Sequence, residues 1–525
     1  VGKLRNITST IKGFILKKFE KPYADLKVKV DEYLAGKITA NDLKHESAPL
    51  GIYQQRNDLF MMRIRVAGGH LSTDQLHAIA EVMECYNVGC SHITSRQDLQ
   101  LQDVAPLALY PILMKLLAED IPFRGGGGNT FRNILVSTES GISAEETFDV
   151  LPYAQALNDY LLSYDKAFEL PRKLKIGFSA GSNDSIKAIM QDLGFIAKIK
   201  AEERGFEVFA GGGMGKESMI GIKIFNFLPE EQLAKCAKAI TDLFYDHGDR
   251  TDRNKARLRF VVKNIGKQKF IELCKTYFNK TEASFQVVER QDFNSLVDSL
   301  KTFDSSKSCE SFRRWAEYAV SSTKFGDDIV SLRLFVKYGN LESENLKKLA
   351  NLAEKCGTSF VRLTQSQDII FPIIHKSALS MIFNYCQDEL ENLDLTVKSF
   401  RGHLTACIGA KVCKIGIADS PGLSDGIAEA LDKYFAENPE KKVSSVLPIL
   451  RDIKISGCPN ACSGHAVSKI GLQGMKKRID EILIEGAVIY LEGKACGNDA
   501  SLAHSDQQFI SQKAIAQEIN KLLSL

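Results

Sequence analysis

The sequence predicts an α/β (α+β) protein built by internal duplication, and three observations carry that expectation. A stretch of strand, glycine turn, amphipathic helix and strand between Leu59 and Gln102 is written again about 270 residues later. Within each copy, period-two alternation in the strands gives way to helical spacing and back again. The repeat period is far too long for a solenoid, so it indicates two fused half-molecules related by a pseudo-twofold axis.

In chain order, the first thirty residues carry Lys3, Arg5, Lys12, Lys17, Lys18, Lys21, Lys27 and Lys29 against Glu20 and Asp25. Ile11, Phe14, Ile15 and Phe19 recur at helical spacing, which predicts an amphipathic helix with a basic outer face. Met61 to Val66 reads as a strand, Gly68-Gly69 as a turn, Ser72 to Tyr86 as a helix capped by Ser72 or Thr73, and Ser91 to Gln102 as a second strand. The second copy runs through Ser331 to Val336, Gly339, a helix from Glu342 to Lys355, and Val361 to Asp368. Gly69 pairs with Gly339, Thr94 with Thr364, and Gln97-Asp98 with Gln367-Asp368, whereas Arg96 faces Ser366. Further on, Leu170 to Ile176 reads against Leu450 to Ile455, and residues 282–328 read as an irregular connection around Trp315.

Composition limits the function classes. A chain of 525 residues holds about three to four domains of ordinary size. Its 44 % hydrophobic and 25 % charged content is that of a soluble globular protein without a membrane span, and a net charge of +3 gives no case for nucleic acid. Twelve cysteines in a chain this long are not a disulfide framework, so reduced thiols and a cytoplasmic location are expected.

Four of those thiols form two close pairs, Cys407 with Cys413 and Cys458 with Cys462. Two thiolate pairs suit a soft-metal centre, zinc or iron-sulfur. Structural zinc takes pairs two to four residues apart, so the five residues inside the first pair fit it poorly, and a cubane cluster spans the wider gap. Gly457 and Pro459-Asn460 predict a tight turn that aims backbone N–H groups at the sulfurs. In the first half the chemistry is cationic: Arg96, Arg132, Lys173 and Lys175. Alternation in Lys173-Leu174-Lys175 puts both ammonium groups on one face, a costly arrangement unless an anion sits there.

Cys-x5-Cys followed by Gly-Cys-Pro-Asn-x-Cys resembles the signature of the sulfite and nitrite reductases that couple a 4Fe-4S cluster to siroheme. The resemblance implies that Cys407, Cys413, Cys458 and Cys462 hold the cluster, with Cys462 bridging to the siroheme iron. It implies that Arg96, Arg132, Lys173 and Lys175 surround the bound oxyanion. It further implies siroheme contacts from Gln97, Gln367, the basic run with Arg253, Arg257 and Arg259, and the glycines Gly211, Gly212 and Gly213, a run that also reads as a bare turn. Some members crosslink a cysteine near the Asn-x-x-Arg motif to a tyrosine at the Tyr53 position, and Gly125 to Gly128 leave no such partner here.

On this resemblance the expected fold is the three-domain siroheme reductase fold. Residues 1–45 form an N-terminal arm and 46–118 with 325–385 a two-lobed ferredoxin-like domain. Residues 119–320 form a central siroheme and substrate domain, and 390–525 the cluster domain. The implied activity is six-electron reduction of sulfite to sulfide, with nitrite to ammonia as the alternative and a non-catalytic siroheme-binding paralogue as the second. A ferredoxin or another protein donor is expected, because no flavin or NADPH module is visible.

Overall fold

Local chemistry sets the repeat. Ser72 caps the helix Thr73–Cys85, its hydroxyl accepting from Gln75 N–H while the Gln75 side chain accepts from Ser72 N–H. The computed structural model describes residues 19–288, 292–304, 309–390, 400–438, 440, 446–496 and 500–523. Ile11, Phe14 and Ile15 of the expected N-terminal helix lie outside them. Phe19 begins a described helix over 19–34 and is buried with Tyr23 and Leu26.

The two copies are interlocked. Ile52–Gln54, Phe60–Ile64, Leu99–Val104 and Cys90–Ile93 form an antiparallel sheet completed by Asn340–Leu341 of the other copy. Reciprocally, Val320–Ser322, Ile329–Leu334, Ile369–His375 and Phe360–Leu363 are completed by His70–Ser72. Each exchange turns on a glycine with positive φ. A Cβ on Gly69 would sit 2.5 Å from Leu363 O, and one on Gly339 would sit 2.8 Å from Ile93 O. Where the sequence reads one strand over 91–102, the chain makes two, because Gln97 adopts φ 58° and reverses it.

Two further sheets repeat a second pattern. Leu135–Val136, Ile176–Ser179 and Leu193–Lys200 lie parallel, followed by antiparallel Glu203–Ala210 and Ile222–Pro229. Thr405–Ala406, Ile453–Ser456 and Ile470–Ile479 lie parallel, followed by antiparallel Ile482–Leu491 and Phe509–Ser511. Register corrects the sequence alignment here. Leu135 pairs with Gly177 and Thr405 with Lys454, so the ladder counterpart of Lys454 is Gly177 and that of Lys175 is Asp452. Alignment by residue type slid the two lysines together across a shift of two positions.

The connection expected to be irregular holds the helices Phe293–Ser299 and Glu310–Ala319. Trp315 lies on the second and packs on Phe312 and Phe383. One continuous core runs through the interlocked sheets and the central sheet, and the unit from Phe400 to Leu523 has its own core. Leu71 and Leu341 occupy the exchanged strands and are almost fully buried. Truncating either to alanine is expected to cost about 2–5 kcal/mol. The check is thermal unfolding, in which both variants should lower the first transition while an exposed control, Leu107→Ala, leaves it unchanged.

Candidate functional site

The four cysteines come from two loops that abut. Cys407 follows the short strand Thr405–Ala406, and Cys413 closes the short helix Gly409–Val412. Cys458 and Cys462 lie on the turn after Ile453–Ser456, where Ala461 and Gly464 take left-handed conformations. Gly457 N–H donates to Cys407 Sγ at 3.2 Å, and Asn460 Nδ2 approaches Cys458 Sγ at 3.5 Å, so donors do point at sulfur. Cys407 interacts electrostatically with Cys462, and Cys458 with both Cys462 and Cys413. Burial, reinforced by Cys462, pushes the Cys407 thiol up to about 11. Among the described residues no three Cys, His, Asp or Glu side chains converge on one point.

The first half holds the counterpart of this cluster loop with the thiols replaced. Cys407 N–H bonds to Ile455 O as Ser137 N–H bonds to Phe178 O, both at 3.1 Å. Gly457 N–H meets Cys407 Sγ as Ala180 N–H meets Ser137 Oγ at 3.0 Å. The left-handed residues Ala461 and Gly464 correspond to Asp184 and Lys187, of which Asp184 has φ 43° and Lys187 φ 56°. By this correspondence Cys407, Cys413, Cys458 and Cys462 stand where Ser137, Ser143, Gly181 and Ser185 stand.

Beside the cysteine loops lies a cleft of cations. Lys173 and Lys175 precede the strand Ile176–Ser179, and the buried Leu174 between them bridges to Phe131, which leaves both lysines on the open side. Neither ammonium has a hydrogen bond or ion pair within the described residues. Desolvation and then Arg96 pull Lys175 down to about 7, and desolvation followed by Lys175 holds Lys173 well below the usual ammonium range. Cys462 favours the charged form of both, which places the cage next to the cluster loop. Ser95 ties the same parts together, its hydroxyl donating to Cys462 O at 2.7 Å.

The two arginines are held differently. Arg96 donates from Nη1 to Gln191 Oε1 and from Nη2 to Ile176 O, each at 2.9 Å, while its buried Nε has no partner. Arg132 is spent on the glycine loop: Nη1 donates to Gly127 O at 2.7 Å and Thr130 O at 3.0 Å, and Nη2 to Gly128 O at 2.6 Å. The structure therefore brings Arg132 to the wall of the cage, with its guanidinium turned onto backbone. Gly128 N–H donates to Tyr53 Oη at 2.8 Å, and a Cβ on Gly127 would meet that oxygen at 2.3 Å.

Arg257 and Arg259 are buried and Arg253 is exposed. Arg257 forks onto Asp192, whereas Nε and Nη1 of Arg259 are buried without partners. Arg259 lines the glycine run: a Cβ on Gly213 would lie 3.0 Å from its Nη1, and one on Gly215 3.2 Å from its Nη2. Met214 reaches toward Gly464 of the cluster loop. An unmet guanidinium beside glycines that admit close approach fits a macrocycle bearing carboxylates. Gln97 and Gln367 serve the backbone: the Gln97 amide closes both bonds with Val136, and Gln367 Nε2 donates to Ile93 O. Residue-type motifs missed Gln191 and Asp192, which their hydrogen bonds to Arg96, Lys175 and Arg257 single out.

Comparison with known proteins places this architecture. Residues 127–282 match the nitrite and sulphite reductase 4Fe-4S domain, and residues 53–119 and 324–388 match the nitrite/sulfite reductase ferredoxin-like half domain, together just over half of the chain. The chain belongs to the nitrite and sulfite reductase family, and its cofactors are siroheme and a 4Fe-4S cluster. The matched 4Fe-4S segment is the copy that carries the serines, and the cysteines sit in the other. A ferredoxin–nitrite reductase of Synechococcus elongatus is 27 % identical over 92 % of this chain and 89 % of its own. A sulfite reductase [ferredoxin] 2 of Mycolicibacterium paratuberculosis is 26 % identical over 86 % and 76 %. The solved structure of the Mycobacterium tuberculosis NirA protein shares the fold, with a TM-score of 0.77, 22 % identity and coverage of 97 % of this chain and 92 % of that one.

Two outcomes follow from the geometry. Cys407→Ser should strip or badly destabilise the cluster, measured as iron and acid-labile sulfide per chain, and wild-type content would contradict the ligand set. Affinity for a small oxyanion such as nitrite should fall as pH rises through about 7, because an anion seated at this cleft would favour the Lys175 ammonium and binding above that pH would take up a proton. In Lys175→Met the same titration should flatten.

Proposed function

We propose that the chain reduces sulfite to sulfide by six electrons, with nitrite as a second substrate. The observation that carries this reading is the pair of ammonium groups at Lys173 and Lys175, which have no hydrogen bond or ion pair among the described residues and lie beside Arg96. The cofactors, when bound, would supply the electron chemistry. The chain's own residues bind and protonate. Fixed cations in a cleft screened from water stabilise negative charge as it builds, and Lys175, unlike arginine, can deliver a proton near neutral pH, with Lys173 held below the usual ammonium range beside it. Cys407, Cys413, Cys458 and Cys462 would hold the cluster, and Arg259 with Gly213 would receive the macrocycle's carboxylates. Lys175 supports sulfite because a second ammonium suits a dianion better than a monoanion.

Nitrite as the main substrate is the second reading, and it is favoured by a specific observation: several of the similar proteins that span most of this chain are named ferredoxin–nitrite reductases. An electron-donor protein, ferredoxin or another, would approach the cluster face. There Lys414 Nζ donates to Gln54 Oε1, Arg56 to Gly416 O, and Ile415 stands exposed. Lys27 and Lys29 suit that role less well, each being paired along its helix with Asp31 and Glu32. In the described residues no helix is long and apolar enough to cross a membrane.

Steady-state kinetics with both anions and one donor test the substrate. Lys175→Asn should move the ratio of kcat/KM values toward nitrite by about tenfold for each 1.4 kcal/mol of differential stabilisation lost. A wild-type preference for nitrite that the substitution leaves unchanged would overturn the sulfite reading.

A further inference from the structure

Asp192 stands in none of the motifs, yet the supports of the cage converge on it. Its side chain is fully buried. Oδ2 accepts from Lys175 N–H and from Arg257 Nη2, both at 2.8 Å, and Oδ1 accepts from Arg257 Nε at 3.2 Å. The neighbouring Gln191 accepts from Arg96 and donates from Nε2 to Lys187 O at 3.2 Å. Both residues lead into the strand Leu193–Lys200, so one strand end fixes Arg96, Lys175 and Arg257 together. The same carboxylate favours the charged forms of Arg96, Lys175 and Arg259.

The other half supplies a comparison. Ile176 pairs with Leu193 as Ile453 pairs with Ile470, so Lys175 and Asp192 correspond to Asp452 and Lys469. There the bond is kept with its direction exchanged: Lys469 N–H donates to Asp452 Oδ2 at 2.8 Å. Backbone closure at this corner thus needs one acidic side chain at either position. Only in the half that builds the cage does the acid sit on the strand side, where it also grips an arginine.

We infer that Asp192 is a positioning residue for oxyanion reduction: it holds Lys175 and Arg257 at the cleft and withholds one positive charge from the arriving anion, so that the anion is aligned without being trapped. This role rests on the anion-reducing reading of the cage. A fixed charge that stabilises the bound ground state more than the transition state lowers KM and kcat together, and a buried carboxylate balancing Arg257 limits that loss.

Asp192→Asn keeps the shape and an acceptor for Lys175 N–H, and removes the charge and the ionic grip on Arg257. In the cofactor-loaded enzyme, sulfite binding is read by titrating the siroheme absorption bands, and turnover is read with one electron donor. The expected result is sulfite binding about tenfold tighter together with kcat at least about tenfold lower. Weaker binding with lower kcat would reduce Asp192 to a structural prop, and changes within twofold in both would leave it idle; either result overturns the inference. Asp192→Glu keeps the charge, so its dissociation constant for sulfite should stay within about threefold of wild type. If Asp192→Asn fails to load cofactor, Asp192→Glu decides alone, and a tenfold shift of its dissociation constant in either direction overturns the role. A wild-type spectrum indifferent to both sulfite and nitrite would instead fault the anion-reductase reading itself.

Discussion

Like charges held together out of water constrain everything else in this protein. Arg96, Lys173, Lys175 and Arg257 repel one another in a partly desolvated cleft, as the lowered positions of Lys173 and Lys175 record. Such a group persists only where surrounding structure over-determines it. The support comes from backbone and buried acid: Ile176 O and Gln191 hold Arg96, the glycine loop carbonyls hold Arg132, and Asp192 holds Arg257. An oxyanion seated in the cleft would relieve the repulsion directly.

Duplication explains how one chain carries both a cation cage and a pair of cysteine loops. The same loop that presents Cys407 in one half presents Ser137 in the other, with its hydrogen bonds conserved in kind, and the corner that carries Lys175 in one half carries Asp452 in the other. The interlocked strands His70–Ser72 and Asn340–Leu341 make the halves inseparable. Ser95 and Gln365, in equivalent turns, each reach across to the opposite loop, bonding to Cys462 O and Ile186 O. The cluster loop is thereby fixed against the cage by bonds that belong to the duplicated frame.

Much of this was legible in the sequence, for physical reasons that also mark where reading stops. The repeat showed because glycines at 69 and 339 and the Gln-Asp turns at 97 and 367 are demanded by backbone geometry, and the cysteine pairs showed because their spacing is chemical. Strand register did not show. Lys454 and Lys175 look alike in sequence, yet the ladder sets Lys454 opposite Thr405 and leaves Lys175 equivalent to Asp452. Nor could residue types reveal that Arg132 and Gln97 turn onto backbone, that Arg259 is left unmet, or that Asp192 underlies the cage, since each depends on partners distant in the chain. The helices Phe293–Ser299 and Glu310–Ala319 went unread because both are short and mostly polar, although the second turns Trp315 and Ala319 inward on one face.

The most direct measurement of the central claim is the absorption spectrum of the purified protein before and after adding sulfite. The account requires siroheme bands that shift when the anion enters the cage beside the cluster. A preparation carrying zinc on the four cysteines, with no macrocycle absorption and no response to sulfite or nitrite, would contradict it.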